Sequence, residues 1–147
     1  MSTKVLQFCL ILLLVNVACK DSAPSIEEKI QKVYTAVSVT QDGLTVYTQG
    51  GPSNLVPQYS TFKLDLSVPG KAVLKDITAE TFTGNYTVTD QVLTLTQLSP
   101  EPTGTGGTMS YSITSISEDG KSLVLTTTKG QPKTGHTINV YTLKSNQ

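Results

Sequence analysis

Arginine and tryptophan are absent from this chain, and histidine and cysteine are scarce. The basic residues are therefore all lysines; they number 11, as do the acidic residues, and the formal net charge is zero. Nucleic-acid binding depends on a positive field and on the planar guanidinium fork, so we expect no nucleic-acid partner. His136 is the only histidine, and no cysteine pair or carboxylate cluster has ligand spacing. We therefore expect no metal site and no cofactor.

Long apolar runs are also rare, and the only one lies at 5–17, after a positive charge at Lys4. It is too short to span a bilayer as a helix but has the length of a signal-peptide core. Ala18-Cys19 follows it and resembles the lipobox of bacterial lipoproteins, in which the cysteine is acylated and becomes the new N-terminus. The resemblance implies a signal peptide at 1–18, lipidation at Cys19 and a tether at 19–24. An ordinary secretory signal with an incidental cysteine is the alternative.

Acyl chains on Cys19, palmitate among them, imply a membrane as a partner of this protein. Lys20 follows the cysteine, which by resemblance to lipoprotein sorting rules favours the outer membrane. Lys20-Asp21 is also similar to the surface-export signal of Bacteroidota lipoproteins. We therefore expect a lipid-anchored protein of the cell envelope at the outer membrane, with surface exposure as a further option. Cleavage before Cys19 leaves one cysteine, which excludes an intramolecular disulfide.

The remaining residues, 25–147, have the pattern of one small domain rich in strands. Ser25 and Glu28 have capping-box spacing and predict a short helix over 26–32. From Val33 onward, apolar and polar residues alternate with a period of two in eight or nine short segments separated by turns. The connections are too short for helical crossovers, so the sheet must be antiparallel. The sequence predicts an all-β domain, an antiparallel up-and-down β-barrel or half-open barrel of 8–9 strands.

The segment 62–143 resembles the lipocalin-like domains of small Bacteroidota lipoproteins. The shared features are an FKLDL strand, Gly84-Asn85-Tyr86 leading through a hairpin into Leu-Thr-Leu, then Tyr-x-Ile, Asp-Gly-Lys-x-Leu-x-Leu and a closing strand. Lys32-Val33-Tyr34 stands where true lipocalins have Gly-x-Trp, so the resemblance is to the looser lipocalin-like group. It implies a lipid-anchored barrel with a central cavity.

Tyrosines that face into such a barrel would give a pocket with apolar walls and polar tips. The candidate ligand-binding residues are Tyr34, Phe62, Tyr86 and Tyr111. Cross-strand aromatic packing is the alternative and the simpler interpretation of the same residues. The predicted function is a non-enzymatic module that binds a small apolar or amphipathic ligand. The alternative is a structural or interaction lipoprotein with a solidly packed barrel, which contacts other envelope components through loops 49–57, 98–107 and 129–135.

Motifs typical of enzymes are present but are interpreted as coincidences. Ser60-Thr61-Phe62-Lys63 and Lys133-Thr134-Gly135 match the Ser-x-x-Lys and Lys-Thr-Gly of serine β-lactamases. Ser60 and Lys63 fall in a run with a period of two, which would place them on opposite faces of a strand. The acidic residues at predicted turns are explained by local hydrogen bonding. We therefore predict no catalytic residues.

Overall fold

The computed structural model of the protein describes residues 23–147. The predicted signal peptide, Cys19 and the first part of the tether lie outside the described residues. The helical segments are α1 (Ile26–Lys29) and the 3₁₀ helices Pro57–Thr61 and Pro132–Thr134. The strands are β1 (Val33–Gln41), β2 (Leu44–Thr48), β3 (Lys63–Asp65), β4 (Lys71–Lys75), β5 (Thr81–Thr89), β6 (Val92–Ser99), β7 (Met109–Ile116), β8 (Ser122–Thr127) and β9 (Asn139–Lys144). This is the all-β domain that the sequence predicts.

Eight of the strands close into a ring, and β2 stands outside it. The order around the ring is β1-β3-β4-β5-β6-β7-β8-β9, and β9 pairs again with β1. β1 pairs with β3 through residues 33–35 and with β2 through residues 38–41, so both neighbours share one edge of β1. Each named pair is antiparallel. The predicted antiparallel barrel is therefore confirmed, and it is closed rather than half-open.

Two hairpins have the turn chemistry that the sequence indicates. Asp42-Gly43 joins β1 to β2 with φ values of 47° and 82°, and Asp90-Gln91 joins β5 to β6 with 50° and 62°. Positive φ at both central residues is the backbone of a type I′ turn, whose twist matches that of the paired strands. The second turn keeps β5 and β6 adjacent in the ring, and the first pairs β2 with β1 outside it.

The short helix α1 covers one end of the barrel, which we call the helix end. Its predicted capping box is present: Glu28 N–H donates to Ser25 Oγ at 3.2 Å, and Ser25 N–H donates to Glu28 Oε2 at 2.6 Å. The helix ends at Lys29 rather than at residue 32, because buried Ile30 turns the chain towards β1 and the Lys32 carbonyl accepts from Leu66 N–H at 3.0 Å.

Gly120 in the turn between β7 and β8 packs directly on this helix. Its φ is +69°, and a Cβ there would overlap the carbonyl oxygen of Lys29. Glycine is therefore required twice, for the backbone conformation and for the close approach of two chain segments. The contact fixes α1 across the barrel end.

Strand alternation fills the interior. Along each strand every second residue faces the interior, and the core runs the length of the barrel. The largest fully buried side chains are Tyr34, Tyr59, Tyr86, Tyr111, Phe82, Ile30, Leu64, Leu66, Leu74, Leu93, Leu95 and Leu123. At the opposite end of the barrel, which we call the mouth, lie the loops 76–80, 100–108 and 128–138.

The segment before β4 differs from the sequence-based prediction. The alternation predicts one strand over 59–68, but Pro57–Thr61 is a 3₁₀ helix, β3 has only three residues and Val68 is 58% exposed. Pro57 has no N–H for a strand ladder, and its fixed φ suits a first helical position. Ser60 therefore lies on a helical turn, and placing it on a strand was wrong. The Lys63 ammonium lies 3.7 Å from Asp65.

Candidate functional site at the mouth of the barrel

A cluster of aromatic rings lies below the mouth loops, with Tyr141 at its centre. Phe62 stacks on Tyr141 with ring centroids 4.9 Å apart, and Tyr59 and Tyr111 meet it edge to face at 6.0 and 6.1 Å. Tyr47 of β2 extends the cluster, 6.1 Å from Tyr59. These separations lie in the range of favourable aromatic pairs, so the rings support one another.

The cluster forms the wall of a small cavity. Its other apolar walls are Leu74, Ile77 and Met109, and the mouth loops contribute Pro102 and Pro132. The inner part of the cavity has a volume of about 30 Å³. Together with the concavity that opens to solvent, the empty space measures about 460 Å³. The inner volume is room for about two water molecules. Most of the barrel interior is thus filled by its own side chains.

Two of the three tyrosine hydroxyls at this cavity receive hydrogen bonds from amide groups. Gln41 Nε2 donates to Tyr59 Oη at 3.0 Å, and Asn139 Nδ2 donates to Tyr141 Oη at 3.3 Å. The Tyr111 hydroxyl reaches the thioether of Met109 at 3.8 Å. A thioether is a weak acceptor, so the buried Tyr111 hydroxyl lacks a strong hydrogen-bond partner.

All three hydroxyls are held in their neutral form. Burial raises the pKa of Tyr59, Tyr111 and Tyr141 above the ordinary value. The neighbouring Tyr59 hydroxyl and the Asp76 carboxylate raise the pKa of Tyr111 further, because a second negative charge would be placed close to the first. The cavity therefore presents O–H groups rather than phenolates.

An ion pair crosses the rim of the cavity and joins two of the mouth loops. Lys133 Nζ lies 2.6 Å from Asp76 Oδ2 and 3.3 Å from Glu80 Oε2. The same ammonium stands 4.7 Å from the centroid of the Phe82 ring. The other oxygen of Asp76 accepts from the N–H and hydroxyl of Thr78 at 2.9 and 2.6 Å, which holds the carboxylate in place. Lys133, Asp76 and Glu80 together carry a net charge of minus one.

Of the four ligand-binding residues predicted from the sequence, the structure brings two to this cavity. Phe62 and Tyr111 line it. Tyr34 and Tyr86 lie at the helix end, where the Tyr34 hydroxyl donates to the Gly120 carbonyl at 2.7 Å and that of Tyr86 to the Leu66 carbonyl at 3.5 Å. The four therefore do not form one site.

Sequence reasoning missed the charged rim. Asp76 and Lys133 lie 57 residues apart in the chain. No spacing rule connects two loops that the barrel brings together, so only the strand order could have paired them. His136 is exposed in the loop 128–138 and lines an open groove of about 310 Å³.

Within residues 23–147 no group of three or more His, Cys, Asp or Glu side chains is arranged to hold a metal ion. Among the described helices, none has the length and apolar character needed to cross a membrane.

The closed antiparallel ring with a short helix across one end defines the class as a lipocalin-like barrel. The chain is similar to the crystal structure of a lipocalin-like protein from Bacteroides uniformis, with a TM-score of 0.52 and 13% identity over 80% of this chain and 98% of that one. An uncharacterized protein from Bacteroides eggerthii aligns with a TM-score of 0.47 and 11% identity over 78% of this chain and 97% of that one. No family model matches, and no curated protein matches in sequence. The first likeness supports the fold.

Proposed function

We propose that the protein is a non-enzymatic binding module, anchored to a membrane by acyl chains on Cys19, that takes a small and mainly apolar ligand at the barrel mouth. The observation that carries the proposal is the aromatic cavity below the mouth loops. Ligand sites are typically concave and mainly apolar, with a few polar groups that fix orientation. Tyr111 and the rim residue Lys133 supply such groups.

The size of the cavity limits the ligand. Sites for drug-sized molecules measure about 300–1,000 Å³, whereas the inner cavity measures about 30 Å³. A ligand would place one ring or a short chain among the tyrosines and leave the rest of its surface in the outer concavity. Entry of a full ring requires the mouth loops to move, and the ion pair between Lys133 and Asp76 is the contact that such movement would break.

In this proposal the lipid anchor belongs to the helix end of the barrel, opposite the cavity. Residues 23–25 lead into α1 at the helix end, and Cys19 is only six residues before Ser25. Six extended residues reach about 20 Å at most. A lipid on Cys19 would therefore hold the helix end near the bilayer and leave the mouth facing the aqueous side, from which the ligand would arrive.

Binding is tested by titrating the protein with toluene, a one-ring apolar probe, and following its amide signals by NMR. We expect saturable shifts confined to the mouth loops and to the strands below them. Ile77→Trp should abolish the shifts, because Ile77 lines the cavity and a larger side chain there would fill it. Ile116→Trp, a partly buried position away from the cavity, is the matched control. Shifts that are absent, or that survive Ile77→Trp, would contradict the proposal.

Anchorage is tested separately with radiolabelled palmitate in a bacterial host that acylates lipoproteins. The label should enter the full chain and be lost in Cys19→Ser, which should also move the protein to the soluble fraction. Cys9→Ser, in the apolar run of the leader, is the matched control and should keep both label and membrane fraction. Equal labelling of Cys19→Ser would contradict lipidation at that residue.

The second candidate function is a structural or interaction protein with a packed barrel. The small inner volume favours it, as do the exposed apolar side chains of Leu44, Leu55 and Ile138 near the mouth. That function predicts no saturable binding of toluene. The NMR titration therefore decides between the two functions.

A further inference from the structure

Two tyrosine hydroxyls at the mouth cavity, those of Tyr59 and Tyr111, have no strong acceptor for their protons among the hydrogen bonds of the described residues. Amide N–H groups donate to Tyr59 and Tyr141, and the Tyr141 hydroxyl in turn bonds to Tyr59, so the Tyr59 proton remains to be donated. The Tyr111 hydroxyl has only the Met109 sulfur, at 3.8 Å. A phenol buried to this degree, with 2% of its surface exposed, ordinarily has a stronger partner.

The nearby carboxylate does not supply such an acceptor. Asp76 uses one oxygen for Thr78 and the other for Lys133. The side-chain oxygen of Asn139 lies 2.7 Å from the Thr137 hydroxyl and is one of three oxygens within reach of its single proton. The side-chain oxygens of Asp76 and Asn139, both of which line the cavity, thus each have another donor within hydrogen-bond distance.

We infer that the cavity selects an uncharged ligand that presents a hydrogen-bond acceptor oxygen, such as a ketone, lactone or ether, to the hydroxyls of Tyr59 and Tyr111. This inference rests on the proposed binding function and names the chemistry of its ligand. The aromatic walls would hold the apolar part of the molecule. The oxygen would accept the protons that the protein leaves without a strong partner.

The rim charges oppose an anionic ligand. Lys133 already has two carboxylate partners, Asp76 and Glu80, so the ammonium is compensated and the rim has a net negative charge. A ligand carboxylate would approach this charge and would also lose its own hydration. A protonated amine or an amidinium ion gains from the rim but carries N–H donors, which would meet the O–H donors of the tyrosines.

Four planar probes of nearly the same size separate these cases: acetophenone, α-methylstyrene, benzoate and benzamidinium. Acetophenone is neutral with an acceptor oxygen, and α-methylstyrene replaces that oxygen with a methylene group. We expect acetophenone to bind at least about tenfold more tightly than either charged probe, since an uncompensated buried charge costs more than one hydrogen bond. Dissociation constants are measured by NMR titration.

The hydrogen bond itself is tested with Tyr111→Phe. Removing one hydroxyl should raise the dissociation constant of acetophenone by about threefold to tenfold, the effect of one ordinary hydrogen bond. The dissociation constant of α-methylstyrene should not change. The matched control is Tyr34→Phe, a buried tyrosine at the helix end that does not line the cavity. It should leave the affinities for both probes unchanged.

The outcomes separate this inference from the proposed function. If none of the four probes binds, the proposed function fails and the inference fails with it. If the probes bind at the mouth but benzoate or benzamidinium equals acetophenone, the binding function stands and the selection of a neutral ligand is overturned. If Tyr111→Phe weakens acetophenone and α-methylstyrene equally, the hydroxyl does not bond to the ligand and the inference is also overturned.

Discussion

The two ends of the barrel use tyrosine in different ways. At the helix end, the Tyr34 hydroxyl is buried and donates to a backbone carbonyl at 2.7 Å, so ring and hydroxyl are both satisfied by the protein. At the mouth, Tyr111 is equally buried, but its hydroxyl reaches only a sulfur atom beside a cavity. Complete satisfaction is typical of a structural core, whereas a poorly satisfied polar group beside a cavity is typical of a binding site. Residue type alone does not distinguish the two ends.

Glycine substitutions should separate the ends most strongly. Gly120→Ala would strain a positive φ and force the new Cβ against the Lys29 carbonyl, which we expect to cost roughly 2–5 kcal/mol of unfolding free energy. Gly135 at the mouth has φ +74° but open space around it, so Gly135→Ala should cost only about 1–2 kcal/mol. Urea denaturation of both variants measures the difference. Equal losses would mean that α1 does not pack rigidly on the barrel.

Removing one hydroxyl at each end should give the next largest contrast. Tyr34→Phe removes the hydroxyl that donates to the buried Gly120 carbonyl and should lower the free energy of unfolding by about 1–3 kcal/mol. Tyr111→Phe removes only a weak hydrogen bond to the Met109 sulfur and should lower the free energy of unfolding by at most about 0.5 kcal/mol. Both variants should remain folded, since domains of this size are stable by about 5–15 kcal/mol. A larger loss for Tyr111→Phe would show that its hydroxyl is satisfied within the protein.

The barrel could be predicted from the sequence because its determinants are local. Alternation in β6 places Leu93 and Leu95 inside, and the Asp42-Gly43 dipeptide specifies its own turn. The order from β3 to β9 then follows from the pairing of consecutive strands, whereas the place of β2 outside the ring does not. The sequence-based prediction missed the 3₁₀ helix that begins at Pro57. Apolar and polar residues continue to alternate through this segment, but proline has no N–H to donate to a neighbouring strand.

The site could be predicted only in part, because it depends on non-local contacts. The sequence identifies Phe62 and Tyr111 as inward-facing residues, but it cannot tell which end of the barrel each one reaches. That depends on strand register, and a buried tyrosine has the same pattern at either end. The pairing of Lys133 with Asp76 joins loops that meet only in the closed ring.

The ion pair at the rim should have a moderate effect on stability. Lys133→Met keeps most of the side-chain length but removes the charge shared by Asp76 and Glu80 and its contact with Phe82, which should cost about 1–2 kcal/mol. Lys63→Met breaks a more exposed pair with Asp65 and should cost less than about 0.5 kcal/mol. Urea denaturation at low and high salt measures both. Equal effects would mean that the rim pair is as weak as an ordinary surface pair.

The smallest expected effect belongs to the helix end and depends on pH. The hydrogen bonds from the backbone and hydroxyl of Ser25 lower the pKa of the Glu28 carboxyl below its ordinary value. A lowered folded-state pKa stabilises the protein above the unfolded value, and this contribution is lost as the pH falls through the folded value. The thermal midpoints of the wild-type chain and of Glu28→Gln should therefore converge as the pH is lowered below about 4.5. Ser25→Ala, which removes the hydroxyl of the capping box at a cost of about 0.5–1 kcal/mol, should weaken this pH dependence. A constant difference between wild type and Glu28→Gln at all pH values would show that the carboxylate is not engaged at the cap, and the helix end would then be less fixed than its contacts with Gly120 indicate.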